Sequence, residues 1–259
     1  MKHSIPKILG LALLAAVVAA PAVQAKYVNP VTDWRRTLFT SYGQHTLVFE
    51  APVGMCFLDE SDYLEGSILS QFKDVNPQSK LIGTFADCME VSKIRADYDA
   101  SLQAHPDMTG PPPVTLKHRG SIYWINPDNG DEVISLARTG YLDAREKTYL
   151  ADVQKEMNDG GHGLSSAALL GPGDKYKFDG GVHRTSNGLS AAYALDTEIE
   201  YEKVHDAGVI GTTLIDHMPL EFSFDFSAKD PDKDSKALYA MMDTFIAQQI
   251  KLNAQMANQ

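Results

Sequence analysis

Between Gly188 and Phe226 the chain is almost continuously β-type. Gly188 to Val204 and Val209 to Phe226 read as strands, the second bent near Asp216 to Pro219. Alternating runs rich in Val, Ile, Thr, Tyr and Phe suit a pleated, half-buried backbone. Such backbone must find hydrogen-bond partners, so this region calls for a sheet. A helix starting at Asp234 or Ser235 then carries Leu238, Met241, Met242, Phe245, Ile246 and Ile250 at helical spacing, and that apolar stripe must lie against the body. Its other face holds Gln248, Gln249, Asn253, Gln255 and Asn258, uncharged amides able to hydrogen-bond a partner.

The first half alternates. Thr46 to Phe49 and Met55 to Leu58 read as strands interrupted by Pro52 and Gly54, and a helix over Tyr63 to Phe72 is capped by Ser61 or Asp62. Lys80 to Phe85 is a further strand, followed by a helix over Glu90 to Leu102. Beyond the proline-rich break at His105 to Pro113, Ser121 to Ile125 and Glu132 to Ala137 flank Asn129-Gly130, which predicts a hairpin. Asp143 caps an expected helix from Ala144 to Met157, and Asn158 to Asp174 follows as a loop of 17 residues with five glycines. Strand–helix alternation followed by strands and one closing helix predicts an α+β fold, a mostly antiparallel sheet covered by helices. We assign residues 46–259 to that single domain and residues 26–45 to an irregular lead-in.

Residues 1–25 have the form of a secretory signal peptide: Lys2 and Lys7, an apolar run from Ile8 to Ala20, and small residues before Lys26. The run is shorter than the roughly 18 to 20 residues that span a bilayer, so no transmembrane anchor is expected. Export places the chain in the periplasm or outside the cell. In that oxidising setting the two cysteines, Cys56 and Cys88, are expected to form a disulfide. Each lies near the end of a strand that precedes a helix, so pairing of the two strands would join them. The whole chain has a formal charge of −11, and removing the leader with its two lysines makes it −13. Such a charge repels phosphate backbones, and nucleic acid is not an expected partner.

Catalytic and ligand-binding patterns are sparse. His183 with Ser186 and Asp179, and His162 in the glycine-rich loop, are the candidates for a hydrolytic set, since acyl transfer needs a nucleophile, a base and an orienting acid in reach. No G-x-S-x-G elbow supports them. Phe178-Asp179-Gly180-Gly181-Val182-His183-Arg184 is the densest mixture of polar and permissive residues, and a ligand site is expected there first. His205-Asp206 and Asp216-His217 pair an imidazole with a carboxylate, in what read as surface turns at opposite ends of a strand. Asp230, Asp232 and Asp234 resemble the start of an EF-hand loop, but Ser235 replaces the turn glycine and Met241 the closing glutamate. An acidic helix start accounts for them without a metal. No cofactor is expected.

Pro52-Val53-Gly54-Met55-Cys56-Phe57-Leu58-Asp59 and Ala86-Asp87-Cys88 resemble segments of a group of exported proteins of Gram-negative bacteria. The order of elements is similar to the Mog1/PsbP-like α+β sandwich, a fold of binding and assembly proteins. That resemblance implies no activity and agrees with the disulfide. The expectation is a non-catalytic binding or accessory protein of the envelope with an envelope protein as partner. The alternative is a periplasmic hydrolase using a histidine within residues 158–190.

Overall fold

The computed structural model describes residues 35–42, 45–73, 79–108, 110–111, 114, 116–125, 135–158, 176–199, 202–228 and 235–257. The elements run β1 (Thr37–Tyr42), β2 (His45–Glu50), β3 (Met55–Phe57), α1 (Tyr63–Lys73), β4 (Ser79–Asp87), α2 (Cys88–Ala104) and β5 (His118–Ile125). They continue through α3 (Arg138–Glu146), α4 (Tyr149–Asn158), β6 (Lys177–Arg184), β7 (Leu189–Ile199), β8 (Glu202–Ile215), β9 (Met218–Ala228) and α5 (Ser235–Met256). Seven strands form one sheet in the order β3-β4-β5-β9-β8-β7-β6, and β1-β2 is a separate hairpin. Every pairing is antiparallel, so the expected α+β domain with an antiparallel sheet is what the chain forms.

Alternation along the central strands divides the core. Leu220, Phe222, Phe224 and Phe226 of β9 join Phe85, Ile122 and Val209 on one face, where Leu238, Met242, Phe245 and Ile246 of α5 and Leu47 and Phe49 of β2 cover them. On the other face, Leu64, Ile68, Leu69 and Val91 of α1 and α2 close over Ala86. Tyr141, Leu142, Tyr149, Val153 and Met157 of α3 and α4 close over Leu189, Ala191, Tyr193, Ile210 and Leu214. Cys56 lies opposite Ala86 in the β3–β4 ladder and Cys88 opens α2, which brings their Cα atoms to 5.2 Å, and the disulfide is formed.

The hairpin β1-β2 is tied to the domain by α5. Asn253 Oδ1 accepts from Val48 N–H (2.9 Å) and its Nδ2 donates to Val48 C=O (2.8 Å). One helical turn earlier, the Gln249 amide makes the same pair of bonds with Glu50, both at 3.0 Å. Four helical residues rise about 6 Å and two strand residues advance about 6.6 Å, so the two amides meet alternate residues of β2 in step. These side chains replace a missing neighbouring strand. Both belong to the amide face able to hydrogen-bond a partner, and the strand they bond is the chain's own, with both residues buried.

Four other expectations are corrected. The lead-in contains a regular strand, β1, because Arg35 and Arg36 carbonyls accept from Phe57 N–H (2.7 Å) and Ala51 N–H (2.7 Å) and align it with the body. Ser135 to Ala137 are not strand, since β4 and β9 already occupy both sides of β5 and leave no edge for a hairpin partner. The expected helix from Ala144 is two helices, with Asp143 inside α3 rather than capping it. His205 and Asp206 lie within β8, not in a turn. Asp216 and His217 do form the β8–β9 turn, both with positive φ (48° and 63°), as a two-residue I′ hairpin turn requires. Among the described residues no helix is long and apolar enough to cross a membrane. Residues 1–25 lie outside them.

Candidate functional site

A cavity of about 410 Å³ opens where β3 ends, bounded by β1, the outer side of β4 and α1. Leu38, Phe57, Leu58, Leu69, Leu81 and Ile82 wall it, and Arg35, Asp59 and Glu60 supply its charges. The local sequence explains the opening. After Leu58 donates to Thr84 C=O (2.8 Å), Asp59 turns the chain away, its carboxylate accepting from Ser61 N–H (2.9 Å) and hydroxyl (2.7 Å). Those bonds, the hydroxyl foremost, hold the Asp59 pKa below its ordinary value, so the mouth carries an ionised carboxylate.

Behind the cavity lies an ion cluster. The fully buried Glu65 carboxylate accepts from Arg35 (2.6 Å), Arg95 (2.7 Å) and Asp59 N–H (2.8 Å). Arg95 also pairs with Asp62 (2.9 Å), which caps α1 through the N–H groups of Leu64 and Glu65. The Arg95 hydrogen bond is the main cause that lowers the Asp62 pKa, and Asp62 in turn raises that of Arg95. Burying Glu65 is tolerable because two guanidiniums and a backbone donor replace its water. Arg35 is thereby held at the cavity wall.

A second polar group of residues crosses the centre of the sheet, between the α1/α2 and α3/α4 covers. Asp225 of β9 sits opposite Arg119 of β5 and Gly208 of β8 in the ladder. It accepts from the Tyr193 hydroxyl and lies 3.5 Å from Arg119 Nε. Gly208 permits this, since a Cβ there would collide with the Tyr193 hydroxyl and the Phe224 carbonyl. The next layers are Thr84 with Ser121 (3.1 Å), and Tyr141, whose hydroxyl donates to Thr212 (2.9 Å). Burial raises the pKa of both Tyr123 and Tyr141, so these phenols remain neutral donors. This stripe is buried, whereas the cavity reaches the surface.

Of the candidates for a hydrolytic set, His183 and Ser186 are described with their side chains. His183 lies on β6, its Nε2 2.9 Å from Asp243 Oδ2 of α5 and its ring stacked on Tyr239 at 4.8 Å. Gly180 and Gly181 beside it make a bulge: the ladder slips between Asp179 and His183, and Gly181 takes φ 96°. The glycine-rich character expected to hold a ligand therefore serves the strand, and the Tyr239 hydroxyl donates to Gly181 C=O (3.3 Å) at that bulge. Ser186 is exposed in the β6–β7 turn, where Thr185 Oγ1 accepts from the N–H groups of Asn187 and Gly188 (both 3.2 Å). Asp179 pairs through its backbone with Ala192, and its side chain lies outside the described set. His162, Asp230, Asp232 and Asp234 also lie outside the described residues.

His217 occupies the β8–β9 turn, and His45 pairs with its neighbour Asp216 at 2.7 Å. Among the described residues no histidine lines the cavity. Among the described residues no three His, Cys, Asp or Glu side chains gather closely enough to hold a metal ion. The cavity escaped sequence reading because its walls come from four separate elements. Its one local signal was Asp59-Glu60-Ser61-Asp62, acidic and turn-forming directly after an apolar strand. No protein-family model matches the chain, and no curated protein is significantly similar to it.

Proposed function

We propose that the chain is an exported, non-catalytic binding or accessory protein of the cell envelope, and that the cavity beside β4 is where it holds its ligand. One observation carries this reading: an opening of about 410 Å³ walled by six large apolar side chains, where among the described residues the charges are those of Arg35, Asp59 and Glu60. Apolar concavities with few fixed polar groups are the usual form of a binding site. Export rests on the form of residues 1–25, and the Cys56–Cys88 bridge fits an oxidising compartment. The resemblance of the Pro52 to Asp59 segment to exported proteins supports the same reading.

The test uses the disulfide-intact chain without residues 1–25, titrated with the hydrophobic fluorophore N-phenyl-1-naphthylamine. Saturable enhancement at one site is expected. Thr37→Trp, which fills the mouth from an exposed position outside the core, weakens it about tenfold or more, a difference of about 1.4 kcal/mol. Non-saturable binding, or binding unchanged in Thr37→Trp, refutes the site.

The His183–Asp243 pair favours one other reading, a periplasmic hydrolase, because a carboxylate on imidazole orients it as a base. Turnover of p-nitrophenyl acetate abolished by His183→Ala would establish that activity, and equal turnover by both proteins would dismiss it.

A further inference from the structure

The cavity has one wall that a small amphiphile would leave unused. β3 pairs with β4 only over Asp87 to Phe85, and the Leu58–Thr84 bond ends that contact. Among the described residues no strand pairs with the outer side of β4 from Ser79 to Gly83, the stretch whose Leu81, Ile82 and Gly83 line the opening. The ladder to β5 shifts register between Leu81 and Gly83, and the two successive side chains at the opening, Leu81 and Ile82, belong to opposite faces. Leu81 joins the α1/α2 cluster and Ile82 joins the α5 cluster. An added strand would thus meet apolar walls on both of its faces: Leu38, Phe57 and Ile82 on one, Leu58, Leu69 and Leu81 on the other.

We infer that the outer side of β4 accepts an extended segment of a partner protein, apolar in its middle and carrying Lys or Arg at the end that meets Asp59 and Glu60. This rests on the proposal that the cavity is a binding site, and it names the occupant. Strand addition supplies affinity through main-chain hydrogen bonds and selects side chains through alternating pockets. Charge selects the basic end. Arg35 is engaged by Glu65, and Asp59 is held ionised at the mouth, beside Glu60. The long-range field of a chain with formal charge −11 draws the same partner.

The experiment is a synthetic array of heptapeptides carrying Val, Thr, Lys or Glu at each position, probed with the leaderless, disulfide-intact protein. Peptides with central Val and terminal Lys are expected to bind best. In solution, N-methylation of their central amides, which removes ladder donors, or replacement of Lys by Glu weakens binding about tenfold or more. The Asp59→Asn/Glu60→Gln protein loses the preference for Lys while retaining binding of the Val/Thr peptides. Amide exchange slows at Ser79 to Gly83 in the complex. Array binding without sequence preference, a preference for Glu, or indifference to N-methylation overturns the inference. If the fluorophore fills the cavity while no peptide binds, the cavity reading stands and the strand-addition reading falls. If neither binds, both fall.

Discussion

Removing the Asn253 carboxamide is expected to unfasten the β1-β2 hairpin from the body. In Asn253→Ala the N–H and C=O of Val48, a residue only 3% exposed, lose partners at 2.9 and 2.8 Å. A buried backbone group left unpaired costs about 1 to 3 kcal/mol, so two such groups set a loss of about 2 to 6 kcal/mol, reduced wherever water reaches them. Gln249→Ala should cost less, about 1 to 3 kcal/mol, because Glu50 is only half-buried. Urea unfolding monitored by tryptophan fluorescence gives these differences from the midpoint at constant slope.

Asn253→Asp separates hydrogen bonding from shape. Its carboxylate still accepts from Val48 N–H but confronts the Val48 carbonyl, so its folded pKa rises above the unfolded value. A raised carboxyl pKa means stability that is present at low pH and lost as pH climbs through the folded value. The variant should therefore lie closest to wild type near pH 4 and fall behind it toward pH 7. Equal losses at both pH values, or Asn253→Ala costing under about 0.5 kcal/mol, would refute the strand-replacing role of these amides.

Gly208→Ala should cost about 3 to 5 kcal/mol, combining overpacking with displacement of Tyr193 from Asp225. Combining it with Tyr193→Phe should cost less than the two separate losses added, and strict additivity in the double-mutant cycle would contradict the proposed collision. Replacing Cys56 and Cys88 by alanine should lower stability by about 3 to 4 kcal/mol through the entropy of a chain no longer closed across a separation of 32 residues, measurable as a drop in the urea midpoint. The Asp62 pKa is lowered from 3.8, so its contribution is complete above that value and fades as pH falls through the folded pKa. Asp62→Asn should accordingly flatten stability against pH below about 4, and an unchanged acid limb would disprove this.

Where local chemistry decides structure, the amino-acid order was sufficient. The Asp62 cap and the Leu64, Ile68, Leu69 face define α1, the stripe from Leu238 to Ile250 defines α5, and the long alternating runs define β7 to β9. The position of each cysteine at the end of a strand that leads into a helix made their bridge legible. Each of these depends on contacts between residues a few places apart, or on a periodicity that any buried helix or strand must show.

What covers each face was not legible. Glu221, Ser223 and Asp225 alternate with phenylalanines as a solvated strand would, yet all three are buried in the folded chain, with β5 and β8 on either side of β9. Ser135 to Ala137 read as strand, but β4 and β9 take both edges of β5; Asn129-Gly130 lies outside the described residues. Gln249 and Asn253 read as surface amides until β2, some 200 positions earlier, is laid beside them. The periodicity of a sequence tells which residues share a face. Only the closing of distant segments on one another decides whether that face meets water or the rest of the chain.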